Sequence, residues 1–125
     1  MNYITISMLV IAGVIHILPL MGAFGASQLI SLYDVKIEDP NLLILMRHRA
    51  VLFTLLGAFL IYAAFEPSIR IVAILGGLVS ATTFLWLALT TSDYNANMTK
   101  VIYADLIAIA CLLVSAATLW LSKVN

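Results

Sequence analysis

The chain has 125 residues, of which 64% are hydrophobic and 10% charged, with six basic against six acidic side chains and no formal net charge. A soluble domain of this length could not hide so much apolar surface behind so few polar residues, and a mean hydropathy of +1.14 points to lipid as the solvent. The charge balance offers no basic face for nucleic acid.

A transmembrane helix needs about 20 mostly apolar residues to cross a hydrocarbon core roughly 30 Å thick. Four stretches meet or approach that length, at residues 4–24, 41–65, 69–90 and 101–121. The fold class expected is all-α, an integral-membrane four-helix antiparallel bundle, forming one membrane domain over residues 1–125. The first stretch carries small residues near its end but lacks a basic n-region and is too long for a signal peptide, so it is read as a retained span.

Residues 25–39 mix Ser27, Gln28, Ser31, Asp34, Lys36 and Glu38 with Leu29, Ile30, Leu32 and Tyr33, which suits a short helix lying at the membrane interface. Asp39-Pro40-Asn41 reads as the start of the second span. Glu66-Pro67-Ser68 is a short turn that makes the second and third spans a hairpin, with Pro67 ending the helix. Residues 91–100, with Ser92, Asp93, Tyr94, Asn95 and Asn97, read as a polar loop.

An even number of spans puts both termini beside the Glu66 turn and the two longer connections on the opposite face. Basic residues divide as Arg70 and Lys123 at the terminal face and Lys36, Arg47, Arg49 and Lys100 toward the long-loop face. The excess would make the long-loop face cytoplasmic, but the score is a tie once Arg47 and Arg49 are set aside as buried.

Depth groups the ionisable residues. At about 1.5 Å per residue, His16 lies about 9 Å from the long-loop end of its helix, Arg47, His48 and Arg49 about 9 to 12 Å, and Asp105 about 8 Å. Three helices therefore carry ionisable groups at one level. Ala12, Gly13, Pro19 and Ala23 form a small-residue stripe around His16, which turns the histidine inward. Pro19 also leaves the Ile15 carbonyl without its helical donor. Arg47, Ala50, Thr54, Gly57, Ala58 and Ile61 share a face of the second span, and Arg49 lies about 200° from Arg47. The expectation is that Arg47 and His48 point inward and that Arg49 lines the mouth or snorkels to headgroups. Ala73, Gly77 and Ala81 form the packing seam of the third span; Ala104, Ala108, Cys111 and Ser115 form that of the fourth. Asp105 adjoins the last seam as the natural partner of an arginine.

On a purely structural reading, Asp105 pairs with Arg47 or Arg49, backbone carbonyls satisfy the histidines, and the cluster sets helix register. The functional reading starts from charge, since two arginines and two histidines against one aspartate leave a surplus that an anion would complete. Arginine suits carboxylate and phosphate because its planar fork donates paired hydrogen bonds. A ligand site of His16, Arg47, His48, Arg49 and Asp105 would take the head of an anionic lipid, fatty acid or quinone-like amphiphile, with its tail among Leu52, Phe53, Leu55, Phe59, Phe84 and Trp86. Alternatives are an accessory subunit with a membrane-protein partner or a homo-oligomer, and a small membrane enzyme or haem b protein with His16 and His48 as axial ligands. No metal-binding spacing such as His-Glu-x-x-His occurs.

The stretch Gly13-Val14-Ile15-His16-Ile17-Leu18-Pro19-Leu20, Asp39-Pro40-Asn41, the run Leu45-Met46-Arg47-His48-Arg49-Ala50-Val51-Leu52-Phe53, and Asp105 in the last span together resemble the DoxX-like group of small four-helix bacterial inner-membrane proteins. The resemblance covers most of the chain and is most specific at Arg47-His48-Arg49. It implies a compact multi-pass fold in the bacterial inner membrane and no defined activity. Some proteins of this kind are labelled phosphopantetheine adenylyltransferase. This chain lacks the His-x-Gly-His motif of those soluble nucleotidyltransferases, so that activity is not expected of it.

Overall fold

The computed structural model describes residues 3–91 and 93–124. Ser92, read above as part of a loop, lies outside the described residues. Helix α1 (Tyr3–Ile17) continues as a 3-10 segment, Leu18–Phe24; a short helix α2 (Ala26–Tyr33) follows, then three long helices, α3 (Pro40–Phe65), α4 (Arg70–Leu89) and α5 (Ala96–Val124). Four of these units are long and apolar enough to cross a bilayer: Tyr3–Phe24, Pro40–Phe65, Pro67–Leu89 and Ala96–Lys123. The all-α bundle is therefore as expected.

The boundaries follow from local chemistry. Pro19 has no amide to bond the Ile15 carbonyl, and the helix tightens into 3-10 geometry from Leu18. Gly25 makes the corner into α2 at φ 150°, a conformation that side chains rarely adopt. Asp39 caps α3, its carboxylate accepting from the Asn41 amide at 2.9 Å, with Pro40 in the first turn where a missing amide costs nothing.

At the other end of α3, Arg70 reaches back across the Glu66 turn. Its Nε donates to the Ala63 carbonyl at 3.1 Å and its Nη2 to that of Ala64 at 2.7 Å. The Ala63 carbonyl also accepts from the Glu66 amide at 3.3 Å, so Arg70 adds a second donor there and supplies Ala64 with its partner, and a cation suits the negative end of the dipole. The sequence reading treated Arg70 as a flanking charge; the structure buries it as a cap.

One expected loop is shorter than proposed. Helix α5 begins at Ala96, because Asn95 acts as its cap: the Asn95 Oδ1 accepts from the Met98 amide at 2.8 Å. The same side chain donates through Nδ2 to the Tyr33 and Asp34 carbonyls at 2.7 and 3.1 Å, so one residue both starts α5 and holds the end of α2.

Helix α1 packs against α3 and α5, and α4 packs against the same two helices. Small residues make the approach possible. A Cβ on Gly13 would stand 2.7 Å from the Gly57 carbonyl, and one on Gly57 2.5 Å from the Gly13 carbonyl, so the backbones of α1 and α3 touch there. Ala73, Gly77 and Ala81 of α4 are buried, as are Ala108, Cys111 and Ser115 of α5, while Ala104 is half-buried. The terminal half of the bundle is filled by Leu9, Leu60, Ile74 and Leu112 with small residues between them. A second apolar cluster of Leu29, Tyr33 and Ile37 sits at the long-loop end.

The outer surface is the reverse of a soluble protein's. Leu45, Leu55, Val72, Val79, Trp86 and Leu113 are all exposed. With four apolar spans presenting such a surface, this is a multi-pass membrane protein whose surroundings are lipid.

Candidate functional site

The long-loop end of the bundle gathers the ionisable residues, but not in the arrangement read from the sequence. His16, in the last turn of α1, is buried with 3% of its surface exposed. Its Nδ1 lies 2.8 Å from the Ala12 carbonyl, which can only accept, so Nδ1 carries a proton. Its Nε2 is buried and has no hydrogen-bond partner among the described residues. The ring packs against Phe53 of α3, with centroids 6.0 Å apart and planes tilted by 50°.

Arg49 is on the inside. Its guanidinium carbon lies 4.4 Å from the ring centroid of Phe53, 5.5 Å from that of Tyr33 and 5.7 Å from that of Phe84. One terminal nitrogen, Nη1, donates to the Tyr33 hydroxyl at 3.0 Å. Each such cation–ring contact is worth about 0.5 to 2 kcal/mol, more where water is excluded. The rings come from α2, α3 and α4, so three separate elements fix one cation.

Arg47 and His48 are exposed, which corrects the expectation that they turn inward. The Arg47 Nε donates to the Ala23 carbonyl at 2.8 Å, at the end of the 3-10 segment. The reason lies in the helix period. Arg49 is four residues before Phe53 and about 40° from it around the axis, whereas Arg47 is about 120° away. The seam of Ala50, Thr54 and Gly57 runs between the two arginines, so small residues alone did not say which one faces the interior. Phe53 decides it, by offering its ring to Arg49.

Asp105 of α5 is half-buried and lies in the electrostatic field of Arg49. The two do not form a contact pair. Among the described residues the ion pair within 4.0 Å is Lys36–Glu38, at 3.2 Å on the exposed connection before α3. Arg49 thus has the Tyr33 hydroxyl as its direct partner, not the carboxylate of Asp105.

Next to Arg49 is a cavity of about 330 Å³, lined chiefly by Tyr33, Met46, Arg49, Phe84, Tyr94 and Met98. It reaches the outside beside Leu87 and Thr91, both exposed. His48 does not line this cavity. His48 instead borders a separate, shallow cleft of about 230 Å³ with Ala23, Ile44, Arg47 and Val51. Of the residues assigned to a tail, Phe53 and Phe84 surround Arg49 and Phe59 packs on the terminal-half core. Leu52, Leu55 and Trp86 face outward.

The arrangement also bears on the haem alternative. His16 packs against Phe53, and His48 sits about 140° around α3 from that ring, so the two imidazoles do not face a common centre. Among the described residues no three His, Cys, Asp or Glu side chains converge as metal ligands.

The sequence reading missed Tyr33 as a member of the site and placed Phe84 beside a ligand's tail, not around the cation. Tyr33 looked like one apolar residue of an interfacial helix, and only the capping of α2 by Asn95 brings it over Arg49. No family model matches the chain, and neither a curated protein nor a solved structure matches it.

Proposed function

We propose that this membrane protein binds a single amphiphile whose polar head accepts hydrogen bonds, with the head at Arg49 and Tyr33 in the cavity between α2, α3, α4 and α5. The head is the carboxylate of a fatty acid, the head of an anionic lipid, or the carbonyl of a quinone-like molecule.

The observation that carries the reading is the condition of Arg49. A guanidinium has five N–H donors, and one of them is used, on the neutral Tyr33 hydroxyl. The rings of Tyr33, Phe53 and Phe84 surround it with centroids 4.4 to 5.7 Å from the guanidinium carbon, and cation–ring attraction consumes no N–H donor. The cavity beside it is mostly apolar, with the hydroxyls of Tyr33, Thr91 and Tyr94 in its lining, so the guanidinium is its one charged group and those donors are available to a ligand there.

Size and charge narrow the class. A volume of about 330 Å³ takes a head and the start of a chain, and the rest of an acyl chain would pass Leu87 into the bilayer. Arg49 has a hydroxyl as its direct protein partner, so the head must be a hydrogen-bond acceptor.

The test is native mass spectrometry of the protein released from mild detergent, comparing wild type with Arg49→Ala and Arg47→Ala. The expected result is an amphiphile-sized adduct retained by wild type and Arg47→Ala and lost from Arg49→Ala. Arg49→Lys, which keeps the charge without the planar fork, should retain it weakly. A set of adducts that Arg47→Ala and Arg49→Ala hold equally, or wild type without any adduct, would overturn the proposal.

A further inference from the structure

The outward pair, Arg47 and His48, occupies a different face of α3 from the Arg49 cavity. Helix α3 has 26 residues and is about 39 Å long, against a hydrocarbon core of roughly 30 Å. If the excess is shared between both ends, Arg47 starts about 6 Å below the core boundary. That is within reach of a guanidinium extending back to the headgroup level.

A freely snorkelling arginine would need no site, but Arg47 is tethered. Its Nε is held by the Ala23 carbonyl, and its two terminal nitrogens have no protein partner among the described residues. The tether fixes the cation at the rim of the cleft bounded by Ala23, Ile44, His48 and Val51, and no acidic side chain lines that cleft. Below it runs a lipid-facing stripe. Val51, Leu55, Ala58 and Tyr62 fall within about 80° of Arg47 by the helix period, and all four are exposed. Ala58 leaves a shallow place in that stripe where a chain can lie against the helix.

We infer that this face binds one anionic glycerophospholipid, with its phosphate on Arg47 and His48 and an acyl chain along Val51, Leu55 and Ala58. The site is independent of the cavity ligand: it lies on the opposite side of α3 and uses none of the same side chains. Charge complementarity selects the occupant, since a cation without an acidic neighbour at headgroup depth is matched by a lipid phosphate.

The experiment is titration of the delipidated protein with phosphatidylglycerol and, separately, phosphatidylcholine of identical chains, read by native mass spectrometry. Wild type should favour phosphatidylglycerol by about tenfold, the ratio expected of one charge-assisted contact. Arg47→Gln with His48→Gln should bring the two lipids close to parity, and Arg49→Gln should leave the preference unchanged. His48→Gln alone removes no hydrogen bond within the described protein; it serves as the variant with unaltered folding and should lower the preference in part. Equal binding of both lipids by wild type would overturn the inference, as would a preference that survives the double substitution.

Discussion

The crossing of α1 and α3 at Gly13 and Gly57 sets where His16, Phe53 and Arg49 meet, and Gly57→Ala tests it. The new Cβ would stand 2.5 Å from the Gly13 carbonyl oxygen, 2.6 Å from Ile17 Cγ1 and 3.1 Å from the Ile17 amide nitrogen. An ordinary carbon–oxygen contact is about 3.3 Å or longer, so the helices must part by roughly 0.8 Å at the crossing. The partners include backbone, which cannot turn aside as a flexible side chain would. A gap of that size removes about a quarter to a half of the dispersion attraction at each affected contact, and overpacking in a dense core costs about 1 to 3 kcal/mol. The glycine-to-alanine change also favours the helix by about 1 kcal/mol, and Gly76→Ala supplies the control for that gain. A Cβ on Gly76 would meet Leu56 Cδ1 at 3.8 Å, an ordinary contact. Equilibrium unfolding in mixed micelles, followed by helical circular dichroism, should therefore place Gly57→Ala about 1 to 3 kcal/mol below Gly76→Ala. Equal stability of the two variants would refute the close backbone approach.

Other consequences are as specific. Arg70→Ala strips the partner from the Ala64 carbonyl and leaves that of Ala63 to the Glu66 amide alone, and the same unfolding assay should register a loss of about 1 to 3 kcal/mol. Asn95→Ala removes the cap of α5 and the clamp on α2 together; it should cost about 0.5 to 2 kcal/mol and raise hydrogen exchange through residues 26–39. Diethylpyrocarbonate should modify His48 in the folded protein and leave His16 untouched until unfolding, as peptide mass mapping would show.

The long-range order of this fold was legible in the chain because membrane spans are written in the length of apolar runs. The Asp39-Pro40 start, the Pro67 turn and the interfacial helix before α3 were legible for a similar reason: each rests on local backbone chemistry. The start of α5 was also written locally, in Asn95 as a cap, but the surrounding polar residues suggested loop. The rotational setting of α3 was not legible. That helix is apolar nearly all round, so polarity gives it no inward face, and the small-residue seam lies between Arg47 and Arg49. What turns Arg49 inward is an aromatic cage drawn from α2, α3 and α4, a contact pattern that no local spacing encodes. The same holds for Arg70, whose acceptors lie across a turn.

The most direct measurement uses the fact that the chain has three arginines, Arg47, Arg49 and Arg70. Nitrogen-15 labelling of arginine gives three Nε resonances, assigned by single substitution, which can be followed while oleate or a short-chain quinone is added in micelles. The Arg49 signal should be displaced by the rings of Tyr33, Phe53 and Phe84 and should shift further on addition of at least one of the two probes, with Arg70 unmoved. An Arg49 resonance with the shift and rapid exchange of an exposed side chain, indifferent to both probes, would contradict the account.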